Sequence, residues 1–168
     1  LGVADQERWR KIVNHILGKQ HEDGSWGQYF GGPGDVSTSV ECYFALKLAG
    51  ILAEEPFMQR ARQFILSRGG VPKVRIFTKI WLALFGQWHW KGTPIMPPEI
   101  MLLPTWAPFN IYQFSSWGRA TIVPMFIILT GHPTLKIPDS ACIDELYPIP
   151  RKQVDYSLPR RGGFFTWE

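Results

Sequence analysis

Little in this sequence offers reactive or metal-binding chemistry. It has two cysteines, Cys42 and Cys142, far apart, which give neither a disulfide framework nor a metal spacing and fit a reducing compartment. His15, His21, His89 and His132 fall at no ligand spacing, and there is no Cys-x-x-Cys or His-Glu-x-x-His run, so neither a metal nor any other cofactor is expected. Single Ser and Cys residues come without the His/Asp pattern that marks nucleophilic catalysis. Gly31-Gly32-Pro33-Gly34 lacks the Lys-Ser/Thr of a phosphate loop and reads as a turn. Long hydrophobic runs are missing too: the stretch around Pro124 to Leu129 falls well short of the ~20 residues a spanning helix needs, and no signal peptide is visible. A dense basic run is also lacking. The net charge is +4, but bases alternate with acids, which argues against a nucleic-acid partner. Arg151, Lys152, Arg160 and Arg161 form the nearest thing to a basic cluster and read as a solvated tail, or as a contact for anionic headgroups.

What the chain has in quantity is aromatic and apolar surface. Its 168 residues are 45% hydrophobic and include eight tryptophans, enough for one domain with a core and more rings than a core of that size requires. These rings must line a core, a pocket or an interface.

Helical periodicity dominates. Ile12, Val13, Ile16 and Leu17 follow Asp5 and Glu7 at helical spacing and predict an amphipathic helix ending near Gly18. Turn chemistry from Glu22 to Gly34 leads to Asp35, a candidate cap for a helix over 36–48. A third helix is expected over 54–67, stopped by Gly69-Gly70, and a fourth over 74–85, stopped by Gly86. Phe44 to Gly50, Ile80 to Gly86 and Met125 to Gly131 end alike, each apolar and closed by glycine, a pattern expected of helices buried on most sides. More polar helices precede the first two. The alternation predicts an all-α fold of paired outer and inner helices, a partial α/α barrel or toroid; an ordinary bundle satisfies the same periodicity.

Residues 93–108 carry Pro94, Pro97, Pro98, Pro104 and Pro108, leaving room for only a turn or two at 99–103. Ile95, Met96, Ile100, Met101, Leu102, Leu103, Trp106 and Phe109 make this an ordered insertion, since a flexible linker would not carry so much apolar surface. The expected organisation is an incomplete barrel domain over 1–131, including this insertion, and an irregular tail over 132–168 with one short helix at 140–146.

Two segments carry a resemblance. Ile16 to Trp26, with Gln20, Gly24 and Trp26 in Gln-x-x-x-Gly-x-Trp register, resembles the Gln-Trp repeat of triterpene cyclases, a pattern also present in related α/α-barrel proteins. Pro97 to Pro104, Pro108 to Tyr112 and Ser116 to Pro124 are more distinctive and resemble the bacterial squalene–hopene cyclases. The resemblance covers most of the chain, from Arg8 to Gly131 and more loosely through Arg161-Gly-Gly. Members of that family are longer, with two α/α barrels enclosing a cavity for a linear triterpene. Their Asp-x-Asp-Asp acid lies in the other barrel and has no counterpart here; Asp144-Glu145 has neither its spacing nor its context. The resemblance therefore implies part of a cyclase, inactive alone, whose partners are squalene or a similar polyprene, the missing second barrel and, from the cytoplasmic side, a membrane surface.

The same resemblance implies site residues. Proton-initiated cyclisation runs through carbocations, which aromatic faces stabilise by ~0.5–2 kcal/mol per ring where water is excluded. Trp117 matches a cavity-lining tryptophan, and Phe77 and Trp81 match aromatic positions on a neighbouring inner helix, four residues apart and so on one face. All three also read as plain core aromatics. Glu41 and Arg75 are odd charges on apolar inner helices and, by the resemblance, match a polar network that takes the final proton or supplies hydroxyl; a structural ion pair, or two helix-end charges in solvent, fits their spacing equally. Gln20, Gly24 and Trp26 belong to the structural repeat, the Gln amide serving backbone groups at a helix end under the indole, and Asp23 shapes the turn.

Two other functions remain compatible with the residues: a class II diterpene or sesquarterpene cyclase sharing the barrel, and a non-catalytic helical-repeat module that binds a lipid or partner through its aromatics. An unclosed ring of inner helices predicts poor solubility for the isolated 168 residues.

Overall fold

A computed structural model of the chain describes residues 6–108 and 110–158; Asp5, Phe109 and the Arg160 to Glu168 end lie outside them. The described residues form an all-α fold with helices α1 (Gln6–Leu17), α2 (Val36–Leu48), α3 (Pro56–Ser67), α4 (Ile76–Leu84) and α5 (Ser116–Gly131). A small antiparallel ladder, β1 (Trp26–Gly27) with β2 (Gly34–Asp35), lies between α1 and α2 and was not expected from the sequence.

Helix α2 is the centre. Asp35 stands at its N-cap in extended conformation and accepts from the Thr38 amide, supplying one of the acceptors a helix start lacks. Val40, Tyr43, Phe44 and Leu46 are buried on it, and losing one such side chain costs about 2–5 kcal/mol. Around α2 pack α3, the ladder, the turn at Val71–Lys73 and the chain beyond 139. Helix α3 enters through Pro56, whose missing N–H is harmless in a first turn, and buries Met58, Ala61, Phe64 and Ile65 on one side. Helix α1 is half-exposed, with only Val13, Ile16 and Leu17 against the core. Outer, more polar helices thus precede α2 and α4 as the periodicity implied.

Four expectations need correction. The fourth helix starts at Ile76: Pro72 sits in a 3-10 turn over Val71–Lys73, and Val74 and Arg75 are extended, so Arg75 is a helix-flanking residue and not an interior one. Helix α5 is not buried on most sides; within the described residues only Phe126 and Leu129 are covered, because no further helix lies on its other faces. Its end also differs from its two look-alikes. Gly50 and Gly86 take positive φ after α2 and α4, whereas after α5 the left-handed residue is His132, φ 46°, its ring stacked on Trp90 at 5.0 Å. Finally, the short helix over 140–146 is two 3-10 turns, Asp139–Ala141 and Asp144–Leu146.

These turns put Ile143 and Leu146 fully into the core, with Tyr147 and Val154 beside them. The segment works as a strap. It passes under the C-terminal end of α4, where Arg151 donates to the Gly86 carbonyl at 2.6 Å, the Tyr147 hydroxyl donates to the Gln87 carbonyl, and Gln87 accepts from the Ile143 amide at 3.0 Å. Leu135 N–H closes on the Leu84 carbonyl at 2.7 Å. Carbonyls just past α4, those of Gly86 and Gln87, are thus paired from the strap, and the last carbonyl of α4 from residue 135.

Candidate active site

The Gln-x-x-x-Gly-x-Trp turn joins α1 to α3. Trp26, buried, donates its indole N–H to the Ile16 carbonyl at 2.8 Å, supplying the end of α1. The Gln20 amide reaches two carbonyls at 3.0 Å, Gly24 in its own turn and Phe57 in the first turn of α3. It is therefore the indole that serves the end of α1, while the amide bridges to the next outer helix. Gly24 has φ +86°, and a Cβ there would stand 2.4 Å from the Arg60 backbone carbon, so the close approach of turn and helix demands glycine. Asp23 accepts from the hydroxyl and amide of Ser25, and that hydroxyl holds its carboxyl below the usual carboxylate range. An acid kept ionised this way shapes a turn and donates no proton.

Glu41 and Arg75 meet where α2 passes the start of α4. Arg75 Nη2 lies 3.6 Å from Glu41 Oε2, with side chains 41% and 38% exposed. Neither charge is buried: Arg75, at the start of α4 and outside it, leans along α2, its amide donating to Ser37 Oγ at 2.9 Å and its Nη2 reaching Thr38 Oγ1 at 3.5 Å. A third residue, which the sequence did not mark, completes the group. Thr78, without solvent exposure, donates its hydroxyl to Glu41 Oε1 at 2.5 Å. Beside Glu41, burial and then the Glu41 charge push the Cys42 thiol up to about 12, so it stays a thiol near neutrality and is no nucleophile.

Phe77 and Trp81 project from one face of α4 with 53% and 57% of their surface exposed, while Thr78, Ile80, Leu82 and Ala83 turn into the core. Trp117, in the first turn of α5, is 76% exposed. None of the three makes a ring contact within the described residues. Within the described residues the rings of Phe77 and Trp81 lie on the side of α4 turned away from its buried face, and Trp117 lies on a helix in which only Phe126 and Leu129 are covered.

The sequence also missed a polar cluster behind α2. Glu145 accepts from Tyr43 Oη at 3.0 Å and Lys47 Nζ at 2.8 Å, while Arg62 Nε donates to the Glu145 carbonyl at 3.2 Å. Its neighbour Asp144 pairs with Arg151 at 3.1 Å. Both acids of that pair are thus engaged in tying the strap down. A lysine on the inner helix was the available signal, since one nine-tenths buried requires an anion. Among the described residues no group of three or more His, Cys, Asp or Glu is arranged to hold a metal ion, and no helix is long and apolar enough to cross a membrane.

Comparison with known proteins follows the same lines. The family profile of the squalene-hopene cyclase N-terminal domain matches residues 1–168. A squalene–hopene cyclase of Alicyclobacillus acidocaldarius is 44% identical over 163 residues, 97% of this chain and 25% of that protein. A squalene-hopene cyclase of Schizosaccharomyces japonicus is 42% identical over 92% of this chain and 24% of its own length. A dammaradiene synthase of Dryopteris crassirhizoma is 36% identical over 98% of this chain and 24% of its own. The chain spans about a quarter of the length of these relatives. A match running the whole sequence, over a helical fold whose repeat turn and exposed aromatics the resemblance had singled out, decides its affiliation: the chain belongs to the squalene-hopene cyclase N-terminal domain family.

Proposed function

We propose that this chain is one portion of a cyclase that folds a linear triterpene such as squalene into a polycycle, and that its part is an aromatic wall of the reaction cavity. The observation that carries this is the exposure of Phe77, Trp81 and Trp117, the first two on the side of α4 turned away from its packed face. Large rings left in water at that exposure call for a covering partner. A hydrocarbon substrate with a travelling positive charge is a partner that aromatic faces serve well, because it offers no hydrogen bonds and needs π density. The initiating acid comes from elsewhere in the enzyme, as the sequence holds no Asp-x-Asp-Asp. This portion has no turnover of its own.

Glu41 and Arg75 form the polar end of the wall. The half-exposed carboxylate, held by Thr78 and facing a guanidinium, is suited to accept the last proton through water or to orient a water that adds to the final cation. Peripheral attachment to a membrane surface belongs to the same reading, since the substrate dissolves in bilayers. Ile95, Leu102 and Trp106, each more than four-fifths exposed in the Pro-rich insertion, are the candidate contacts.

Incubating the full-length enzyme with squalene and analysing the extract by gas chromatography tests this. Cyclic triterpenes are expected, with Trp117→Ala and Trp81→Ala each lowering the yield about tenfold or releasing partly cyclised products, as loss of one cation-stabilising ring predicts. Full-length wild type that binds squalene without cyclising it would sink the reading.

A further inference from the structure

The three groups around Glu41 are not equivalent. Arg75 is the obvious partner by charge, yet its guanidinium stands 3.6 Å from Oε2, beyond hydrogen-bond length, and is 41% exposed. Thr78 has no exposure at all, and its hydroxyl makes the shortest contact the carboxylate has, to Oε1. The same hydroxyl oxygen receives Arg75 Nε at 3.4 Å. A hydroxyl has one proton to give; here it goes to Glu41, and the lone-pair side faces the guanidinium, so the rotor is fixed from both directions. Thr78 shares the buried side of α4 with Ile80, Leu82 and Ala83, where valine would fill nearly the same volume without a polar group to satisfy.

We infer that Thr78 is a positioning residue for the terminating step, the group that sets which edge of the Glu41 carboxylate faces the reacting end of the substrate. The inference rests on the proposed role of Glu41. Thr78 ties Oε1 to the protein and leaves Oε2 and the half-exposed side of the carboxylate as the accepting edge. In the alkene-forming outcome, the C–H bonding pair beside the cationic carbon becomes the new π bond, and the proton passes to a water that gives one to Glu41. In the alcohol-forming outcome, a lone pair of that water forms the C–O bond and its surplus proton goes to the same carboxylate. Rotating the carboxylate changes which of the two geometries the water meets.

The test is the alkene-to-alcohol proportion among cyclised products from squalene, measured in the full-length enzyme. This proportion is set within each turnover and does not depend on how much enzyme is folded, so a merely structural role would leave it unmoved. Thr78→Val should shift it by about threefold or more, in the direction Glu41→Gln shifts it, as loss of a charge-assisted hydrogen bond predicts. The double variant should shift no further than Glu41→Gln alone, and Thr78→Ser should restore the wild-type value. Thr78→Ala asks the same question if the valine variant does not fold. A Glu41→Gln shift with no shift from Thr78→Val or Thr78→Ala overturns the inference and leaves the proposed function standing. Additive shifts in the double variant overturn it as well. No shift from either position removes Glu41 from the terminating step, and Thr78 with it.

Discussion

Gly24 meets two constraints at once, a positive φ and a helix backbone 2.4 Å from any added Cβ. Gly24→Ala should lower stability by about 2–4 kcal/mol in thermal or denaturant unfolding, more than an ordinary surface glycine. Two buried phenols give a second handle. Burial, and for Tyr43 also the neighbouring Glu145 charge, raises the pKa of Tyr43 and Tyr147 above its ordinary 10.0. An acid whose folded value is raised contributes stability that is whole below the unfolded value and is lost as pH rises through the folded one. Stability should therefore hold to about pH 10 and fall above it. The Tyr43→Phe, Tyr147→Phe double variant should show a flatter alkaline limb in circular-dichroism melts, and an unchanged limb would discount these two groups.

At the scale of elements, the strap over 139–158 is what holds α4 against the core. Gln87 joins them: its Oε1 accepts from the Ile143 amide in a buried setting, and its Nε2 donates to the Phe85 carbonyl. Gln87→Leu leaves the Ile143 amide buried without an acceptor and should cost about 2–3 kcal/mol, read by chemical denaturation. The helices themselves were legible in the sequence, because apolar periodicity, the Asp35 cap and the glycines at 50, 69 and 86 are local signals. Helix α2 agreed to the residue. The strap was not legible, since Pro-rich, polar sequence from 133 onward hides Ile143 and Leu146, which fold into the core through turns with no period to read. The two-residue ladder was missed for the same reason. Of the candidate site, Glu41 and Arg75 were visible as misplaced charges, and Phe77 and Trp81 as a spaced pair. Thr78 was invisible, because a threonine in an apolar helix announces nothing until its hydroxyl is seen on a carboxylate.

The molecule as a whole has one well-filled side and one unfilled side. Its core gathers α2, α3, the inner side of α4 and the strap. Ile95, Leu102, Trp106, Tyr112, Trp117 and Ile127 lie exposed along the insertion and α5, which accounts for the poor solubility expected of the isolated chain. The account stands or falls on what covers Phe77, Trp81 and Trp117. The most direct measurement is photolabelling of the full-length enzyme with a diazirine-bearing squalene analogue, followed by peptide mapping. The account predicts adducts on the peptides containing Trp81 and Trp117, suppressed by excess squalene. Adducts confined to other parts of the protein, with these two peptides unlabelled, would contradict it.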